Sequence, residues 1–326
     1  MPEIMYAWLA IGVGIAGLVW SADRFVAGSA AIAANVGVSK LIIGLTIVSL
    51  GTSAPEILVS INASLEGQGD LAIGNALGSN IANIGLVLAV TALIAAIPIR
   101  RHILTQEIPI LMLITFIAGI FLYDGQLARW EGWSLLLLIP ALIFLMFIYK
   151  KNHPNEIEDE EDIPNLTTTA ASVWFIIGLA VLIISSKILV GGAQDIAAYF
   201  GVSPLIIGLT VVALGTSLPE LAASIMSAIK GHHDIALGNI VGSNIFNILA
   251  VMSIPGIFGM PALGEEVFLR DYAVMAGITA LLCTAIIVDY YLKRKNGMGH
   301  LGKLIGISLL LCYFGYYALL FTTQSL

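Results

Sequence analysis

The sequence predicts an all-α membrane protein with ten transmembrane helices in two inverted five-helix repeats. Three observations support this fold class: extreme apolarity, long apolar runs between clustered charges, and an internal duplication. Of the 326 residues, 59% are hydrophobic and 11% are charged, and the mean hydropathy is +0.98. Soluble domains carry about 25% charged residues, so a soluble fold is excluded. The unbroken apolar runs indicate helices, because the strands of a membrane β-barrel alternate in polarity.

The apolar runs set the number of helices. About 20 apolar residues cross a bilayer at a rise of 1.5 Å each. The first run begins at Ile4 without a preceding basic segment, so we expect a retained helix and not a cleaved signal peptide. The first, second, sixth and seventh runs exceed a straight crossing, so tilt or a break is expected in each. To within a few residues, the predicted helices are 4–34, 38–64, 70–97, 103–122, 130–149, 171–199, 202–229, 234–257, 267–290 and 300–321.

An internal duplication divides the chain. When residue n is aligned with residue n+164, Gly37–Asn83 and Gly201–Asn247 are identical at 28 of 47 positions. Five helices per half is an odd number, so the second half must enter the membrane from the opposite side. Inverted repeats are typical of secondary transporters, which bind their substrates near the bilayer midplane. We therefore predict a first repeat over 1–150, an acidic linker over 151–170 and a second repeat over 171–326.

Basic residues predict the orientation, because cytoplasmic loops are enriched in Lys and Arg. With the N-terminus outside, the outer loops hold only Arg129 and Arg270. We therefore expect a multi-pass inner-membrane protein with both termini outside and the 150–170 linker in the cytoplasm. The ten basic residues of the inner loops are Lys40, Arg100, Arg101, Lys150, Lys151, Lys230, Lys293, Arg294, Lys295 and Lys303.

The net charge of −7 arises largely in the linker. Six acidic residues lie within Asn155–Pro164, so the acidity belongs to one loop, which we expect to be a solvated tether. The rest of the chain is nearly neutral and contains no basic patch. Nucleic acid is therefore not an expected partner; the lipid bilayer is.

A polar motif occurs once in each repeat, as GTSAPE in the first and GTSLPE in the second. Pro55 has no N–H and frees the carbonyl of Gly51, so the helix should open there. Carboxylates, hydroxyls and freed carbonyls are the ligands that hard cations such as Ca²⁺ or Na⁺ prefer. A spacing of three or four residues places the polar groups of the first copy on one helical face: Ser49, Thr52, Ser53 and Glu56. The second copy has Ala213, Thr216, Ser217 and Glu220.

The following helix of each repeat adds amides and hydroxyls. Asn75, Ser79 and Asn83 recur every four residues, and Asn83 lies about 20 Å along its helix, near mid-membrane. Their counterparts are Asn239, Ser243 and Asn247. Two interpretations stay open for Asn75, Asn80, Asn239 and Asn244: ligands of an ion, or interhelical hydrogen bonds.

The two glutamates favour a functional role over a structural one. A charged side chain at the bilayer centre costs at least about 2.5–3.5 kcal/mol. No midplane basic residue lies in the same segments as Glu56 or Glu220 to pair with them. Two facing carboxylates would repel unless they were protonated or bridged by a cation. For Asp23, Arg24 and Lys187, near a helix end, snorkelling or a local ion pair is the expected role.

These motifs, with GNALGSNIAN and GNIVGSNIFN after them, resemble the paired repeats of the cation/Ca²⁺ exchanger superfamily in its Na⁺/Ca²⁺ exchanger branch. The short linker and ten helices resemble the bacterial inner-membrane calcium/sodium antiporters. The resemblance implies four ion sites, one for Ca²⁺ flanked by sites for Na⁺, and no cofactor. It implies as ligands Ser49, Thr52, Ser53, Glu56, Ser79, Asn83, Ala213 (through its carbonyl), Thr216, Ser217, Glu220, Ser243 and Asn247. In such relatives the first and sixth helices slide against the other eight.

One position departs from part of the superfamily. Some prokaryotic relatives and the K⁺-dependent exchangers carry Asp where this chain has Asn247, and the equivalent Asn83 is also Asn. The expected activity is therefore Na⁺/Ca²⁺ exchange without K⁺, by a monomeric transport unit that is not an enzyme. A Ca²⁺/H⁺ antiporter is the first alternative, although cation/proton exchangers typically have an Asn-x-x-Glu motif around the acid. A passive cation channel and an intramembrane hydrolase are more distant ones.

Overall fold

The computed structural model describes residues 2–152, 165–201, 213–259, 261–293 and 299–324. Most of the acidic linker and the start of the predicted seventh helix lie outside these residues. The helices are α1 Pro2–Val36, α2 Lys40–Thr52, α3 Ala54–Leu65, α4 Gly69–Ile94, α5 Ile103–Leu122, α6 Arg129–Asn152, α7 Thr168–Tyr199, α8 Ala213–Thr216, α9 Leu218–Ile229, α10 His233–Gly259, α11 Val267–Tyr272 with Ala273–Lys293, and α12 Lys303–Gln324.

The predicted helices are confirmed wherever the structure describes them. Seven helices of the described residues are long and apolar enough to cross a membrane, or eight if the bent pair α2 and α3 is one span. The fifth predicted helix is α6. Of the seventh, α8 and α9 form the described part, and 202–212 lie outside it.

The sequence missed a short strand pair. The third helix was predicted to reach residue 97, but it ends at Ile94, and the last begins at Lys303 and not at 300. Strand β1 (Ile97–Ile99) instead pairs with β2 (Gly299–Leu301) in antiparallel register, Ile97 opposite Leu301. The three-residue ladder satisfies backbone groups at two helix ends, where no helical partner is available.

Among the described residues, wide π-type turns occur in five helices, within α2, α4 and α10 and at the start of α5 and α11. Such turns free backbone groups and are frequent at functional sites. These turns could not be predicted from the sequence, because they depend on packing and not on helix propensity. They lie at Gly44–Val48 in α2, Asn83–Leu88 in α4, Ile103–Glu107 in α5, Asn247–Val251 in α10 and Val267–Tyr272 in α11.

The chain divides into two compact units, and each draws on both sequence repeats. The first comprises the described residues of Met1–Pro55 and Glu158–Asn239, and the second those of Glu56–Ile157 and Ile240–Leu326. The contact-based units therefore cut across the predicted division into repeats. That division follows the internal sequence repeat, and it stays a prediction.

In the first unit, α1 and α7 run antiparallel in close contact. A Cβ on Gly28 would lie 2.7 Å from the Ala171 carbonyl, and one on Gly178 would lie 2.6 Å from the Phe25 backbone nitrogen. Small residues permit this approach, which is a common basis of helix association in membranes. In the same unit α2 meets α10, where a Cβ on Gly44 would lie 3.1 Å from the Gly238 Cα.

In the second unit, glycines again mark the closest helix contacts. A Cβ on Gly132 of α6 would lie 2.8 Å from the Ser253 carbonyl of α10. A Cβ on Gly85 of α4 would lie 2.9 Å from the Tyr313 side chain of α12. These contacts hold α4 and α10 against their neighbours. Both helices carry the asparagines that recur at the same spacing in the two repeats.

Candidate ion-binding site

Both polar motifs form the same helix break. Helix α2 ends at Thr52 and α3 begins at Ala54, with a bend of 46° between them. Ser53 at the break has φ −81° and ψ 6°, and Ser217 between α8 and α9 has φ −89° and ψ 2°. The opening predicted beside Pro55 is thus present in both repeats, two residues before the proline.

Nearly all of the predicted ligand residues are buried. Thr216 is half-buried, and Ala213 begins helix α8. Both glutamates are at most 1% exposed. The remaining buried members of the set are Ser49, Thr52, Ser53, Ser79, Asn83, Ser217, Ser243 and Asn247.

In the first unit, Glu220 lies among hydroxyls from the other repeat. Ser53 Oγ donates to Glu220 Oε1 at 3.1 Å, so the first GTS motif contacts the second glutamate directly. Glu220 Oε2 and Ser217 Oγ are buried and have no hydrogen-bond partner among the described residues. Buried polar groups are normally satisfied, so both oxygens are available to a further hydrogen-bond partner or ligand.

The carbonyl freed by the second proline is partly used inside the protein. Ser186 Oγ of α7 donates to the Gly215 carbonyl at 2.7 Å, four residues before Pro219. A carbonyl has two lone pairs, so one remains for another partner. Residue 22, the equivalent of Ser186, is alanine. This asymmetry could not be predicted from the motifs, because Ser186 lies outside them.

In the second unit, the amides of α4 and α10 flank wide turns. Asn83 and Asn247 each begin a π-type turn, at Asn83–Leu88 and Asn247–Val251. Asn83 Oδ1 and both polar side-chain atoms of Asn247 are buried and have no hydrogen-bond partner among the described residues. These amides therefore present oxygens at the positions where the helical hydrogen-bond pattern changes.

The four asparagines with two open interpretations make hydrogen bonds within the protein. Asn75 Nδ2 donates to the Glu56 carbonyl and Asn239 Nδ2 to the Glu220 carbonyl, both at 3.3 Å. Asn80 Nδ2 donates to Met275 Sδ at 3.4 Å, and Asn244 Nδ2 donates to the Ile240 carbonyl at 2.9 Å. Asn75 and Asn239 thus support the glutamate-bearing backbone in the same way in each repeat.

The charged residues Asp23 and Arg24 of α1, which continues 12 residues beyond Arg24 to Val36, contact side chains of the second repeat. Lys230 Nζ lies 2.6 Å from Asp23 Oδ1, and the Arg24 guanidinium lies 4.8 Å from the centre of the Trp174 ring. The local ion pair predicted for Asp23 is confirmed.

A multi-pass helical protein whose buried polar residues belong to duplicated motifs is typical of secondary transporters. The chain matches the family described as "Sodium/calcium exchanger protein" over residues 6–149 and 170–322. It belongs to that family and is a cation/Ca²⁺ exchanger rather than an enzyme.

Known relatives agree with this assignment. CaxA of Alkalimonas amylolytica is 43% identical, with 98% of this chain and 100% of that protein aligned. The inner membrane protein YrbG of Escherichia coli is 41% identical over 83% of this chain and 86% of YrbG. A solved structure of the sodium-calcium exchanger NCX_Mj superposes with a TM-score of 0.82 at 32% identity, covering 97% of this chain and 98% of NCX_Mj. The fold is therefore the exchanger fold predicted from the sequence.

Proposed function

We propose that this protein exchanges Na⁺ for Ca²⁺ across the inner membrane, by alternating access of a midplane site to which Glu56 and Glu220 both contribute. The observation that carries the proposal is the burial of the Glu220 carboxylate and the hydrogen bonding of its two oxygens. It is completely buried, and one carboxylate oxygen is held by Ser53. The other is among the buried oxygens that have no hydrogen-bond partner in the described part of the chain. A hard cation would satisfy such an oxygen.

The surrounding atoms suit Ca²⁺ and Na⁺ better than softer metals. The proposed ligands are carboxylate, hydroxyl, amide and carbonyl oxygens, without thiolate or imidazole. Among the described residues, no cluster of three or more His, Cys, Asp or Glu could hold a metal ion. The site therefore depends on neutral oxygens as well as on its glutamates, which favours an ion that is released in each transport cycle over one that is bound permanently.

The charge of the site supports exchange over leak. One Ca²⁺, or several Na⁺ in its place, would neutralise Glu56 and Glu220. Without ions, two like charges would remain in a medium of low dielectric constant, and reorientation would be unfavourable. The site can therefore reorient across the membrane with either Ca²⁺ or Na⁺ bound, but not when it is empty. Transport of one ion is thus coupled to transport of the other in the opposite direction.

The orientation predicted from the basic residues completes the proposal. The orientation with both termini outside has ten Lys and Arg residues in the inner loops and two in the outer loops, and this asymmetry supports an orientation with the 150–170 linker in the cytoplasm. The name of YrbG, an inner membrane protein, supports the same membrane for this chain. Na⁺ entering down its gradient would then expel Ca²⁺ from the cytoplasm.

The test is Na⁺-gradient-driven uptake of ⁴⁵Ca²⁺ into liposomes that contain the purified protein. Glu56→Gln and Glu220→Gln should each abolish uptake, because each removes a charge that balances the bound cation. Glu107→Gln is the matched control, since Glu107 is also buried, at 2% exposed, but lies outside the proposed ligand set. Uptake that survives in both site variants would refute the site.

The counter-ion is tested in the same liposomes. An imposed pH gradient without Na⁺ should drive no Ca²⁺ flux, and flux under that gradient would favour the Ca²⁺/H⁺ antiporter. Added K⁺ should leave Na⁺-driven uptake unchanged, because Asn83 and Asn247 supply no additional carboxylate. Ca²⁺ passage without any counter-ion would indicate a channel.

A further inference from the structure

Asn239 of α10 makes three hydrogen bonds within the first unit. Its Nδ2 donates to Ser224 Oγ at 2.9 Å and to the Glu220 carbonyl at 3.3 Å. Its Oδ1 accepts from Thr52 Oγ1 at 3.0 Å. Asn239 is 0% exposed and therefore has no exchange with solvent to weaken these bonds. One side chain thus connects the hydroxyl motif of the first repeat to the glutamate helix of the second.

The hydrogen-bonding capacity of Asn239 fixes its orientation. An amide side chain has two N–H donors and one carbonyl acceptor. Both donor bonds are directed to α9, one to the backbone of Glu220 and one to Ser224, so the carbonyl oxygen must be directed to Thr52. Rotating the amide by half a turn would lose both donor bonds.

This orientation of the Asn239 amide provides an acceptor for the hydroxyl hydrogen of Thr52. A hydroxyl that coordinates a cation uses an oxygen lone pair, and its single hydrogen must be donated elsewhere. Thr52 also contacts the Ser49 carbonyl at 3.3 Å and hydrogen-bonds the Glu220 side chain. When a cation engages Glu220, the carboxylate is no longer the best acceptor for that hydrogen. Asn239 Oδ1 at 3.0 Å is the closer of the two alternatives.

We infer that Asn239 is a positioning residue, which accepts the Thr52 hydrogen so that the hydroxyl oxygen faces the transported ion. The inference rests on the proposed function, because it concerns the same ions and ligands. It also assigns the two repeats different roles. Asn75, the equivalent of Asn239, is only half-buried, and its described bond goes to the Glu56 carbonyl.

The experiment is a double-mutant cycle on ion affinity. Ca²⁺ and Na⁺ are each titrated calorimetrically into detergent-purified wild type, Asn239→Ala, Thr52→Val and the double variant. We expect each single change to raise the Kd of at least one ion about tenfold, the equivalent of about 1.4 kcal/mol. The double variant should be no weaker than Thr52→Val alone, because Asn239 acts through the hydroxyl. Thr91→Val is the matched control for Thr52→Val, because Thr91 is equally buried but donates along α4 to the Val87 carbonyl at 2.7 Å, and it should change the Kd less than threefold.

Two further measurements, the Kd and the unfolding temperature of Asn239→Asp, separate a positioning role from a purely structural one. Asn239→Asp retains an acceptor for Thr52, so its Kd should not rise above about three times the wild-type value. Its unfolding temperature reports separately on the lost bonds to α9. An unchanged Kd in Asn239→Ala, effects that multiply in the double variant, or equal losses in Asn239→Asp and Asn239→Ala would each overturn the inference. Wild type that binds Ca²⁺ but shows no Na⁺-driven flux would instead refute the proposed function and leave the cycle valid.

Discussion

At the scale of residues, hydroxyls from one repeat complete the surroundings of the acid from the other. Ser53 donates to Glu220 Oε1, and Thr52 donates to Asn239, whose amide holds the Glu220 backbone. The hydrogen bond to a charged group contributes about 1.5–3 kcal/mol, about twice as much as one between neutral groups. Glu220 is therefore held in place by the motif of the opposite repeat as well as by its own helix.

Ser53→Ala tests this dependence. Removing the hydroxyl deletes one donor to the carboxylate and, in the proposed site, one ion ligand. The loss of about 1.5–3 kcal/mol should raise the Ca²⁺ KM of Na⁺-driven uptake about ten- to a hundredfold. Ser29→Ala is the control, because Ser29 is equally buried but donates only along α1, to the Phe25 carbonyl at 2.7 Å. Equal KM values in the two variants would contradict the role of Ser53.

The residue types at the site could be predicted from the sequence, but several of their contacts could not. Spacing placed Ser53 and Glu56 on one face, and the duplication placed Ser217 and Glu220 likewise. The spacing of residues along the chain does not predict the hydrogen-bond partner of each side chain. The bonds of Ser53 and Thr52 join residues 167 and 187 positions apart, and they depend on how the helices pack. Ser186, which caps the Gly215 carbonyl, lies on a helix that the motif does not include.

At the scale of elements, α1 and α7 pack through small residues that recur at intervals of seven. Gly14, Ser21 and Gly28 lie on α1, and Gly178, Ser185 and Gly192 lie on α7. Gly14, Gly28, Gly178 and Gly192 leave no room for a Cβ beside the facing backbone. This close packing joins α1 and α7 as a pair, which is compatible with the joint sliding of the first and sixth helices against the other eight that the family resemblance implies.

Gly178→Ala measures how tight this contact is. The added Cβ would lie 2.6 Å from the Phe25 nitrogen, so the two helices must separate. Overpacking of this kind costs about 1–3 kcal/mol, and the apparent unfolding temperature in detergent should fall. Gly191→Ala on the same helix meets nothing within 4 Å. That control should be neutral or more stable by up to about 1 kcal/mol, because alanine favours the helix. A reversed order of the two unfolding temperatures would show that α1 and α7 are not held at this distance.

At the scale of the whole molecule, two related repeats contribute to each compact unit. Turn glycines at equivalent positions have the same left-handed backbone, with φ +74° at Gly67 and +80° at Gly231. The number of helices and the repeat were predictable because long apolar runs and 28 identities in 47 positions are strong signals. The π-type turns and the β1–β2 ladder were not, since each arises where packing overrides the local helical pattern. The duplicated sequence thus specifies one architecture twice, and departures such as Ser186 opposite Ala22 give the copies different contacts.

The proposed orientation is tested by cysteine accessibility in intact cells. In a chain with Cys283→Ala and Cys312→Ala, Gln126→Cys lies in the exposed turn between α5 and α6, and Asn155→Cys lies in the linker. The distribution of Lys and Arg predicts that a membrane-impermeant maleimide labels position 126 in intact cells and position 155 only after permeabilisation. The labelling of denatured protein provides the control for thiol reactivity. Labelling of position 155 from outside would contradict the proposed orientation, in which both termini lie outside and the linker lies in the cytoplasm.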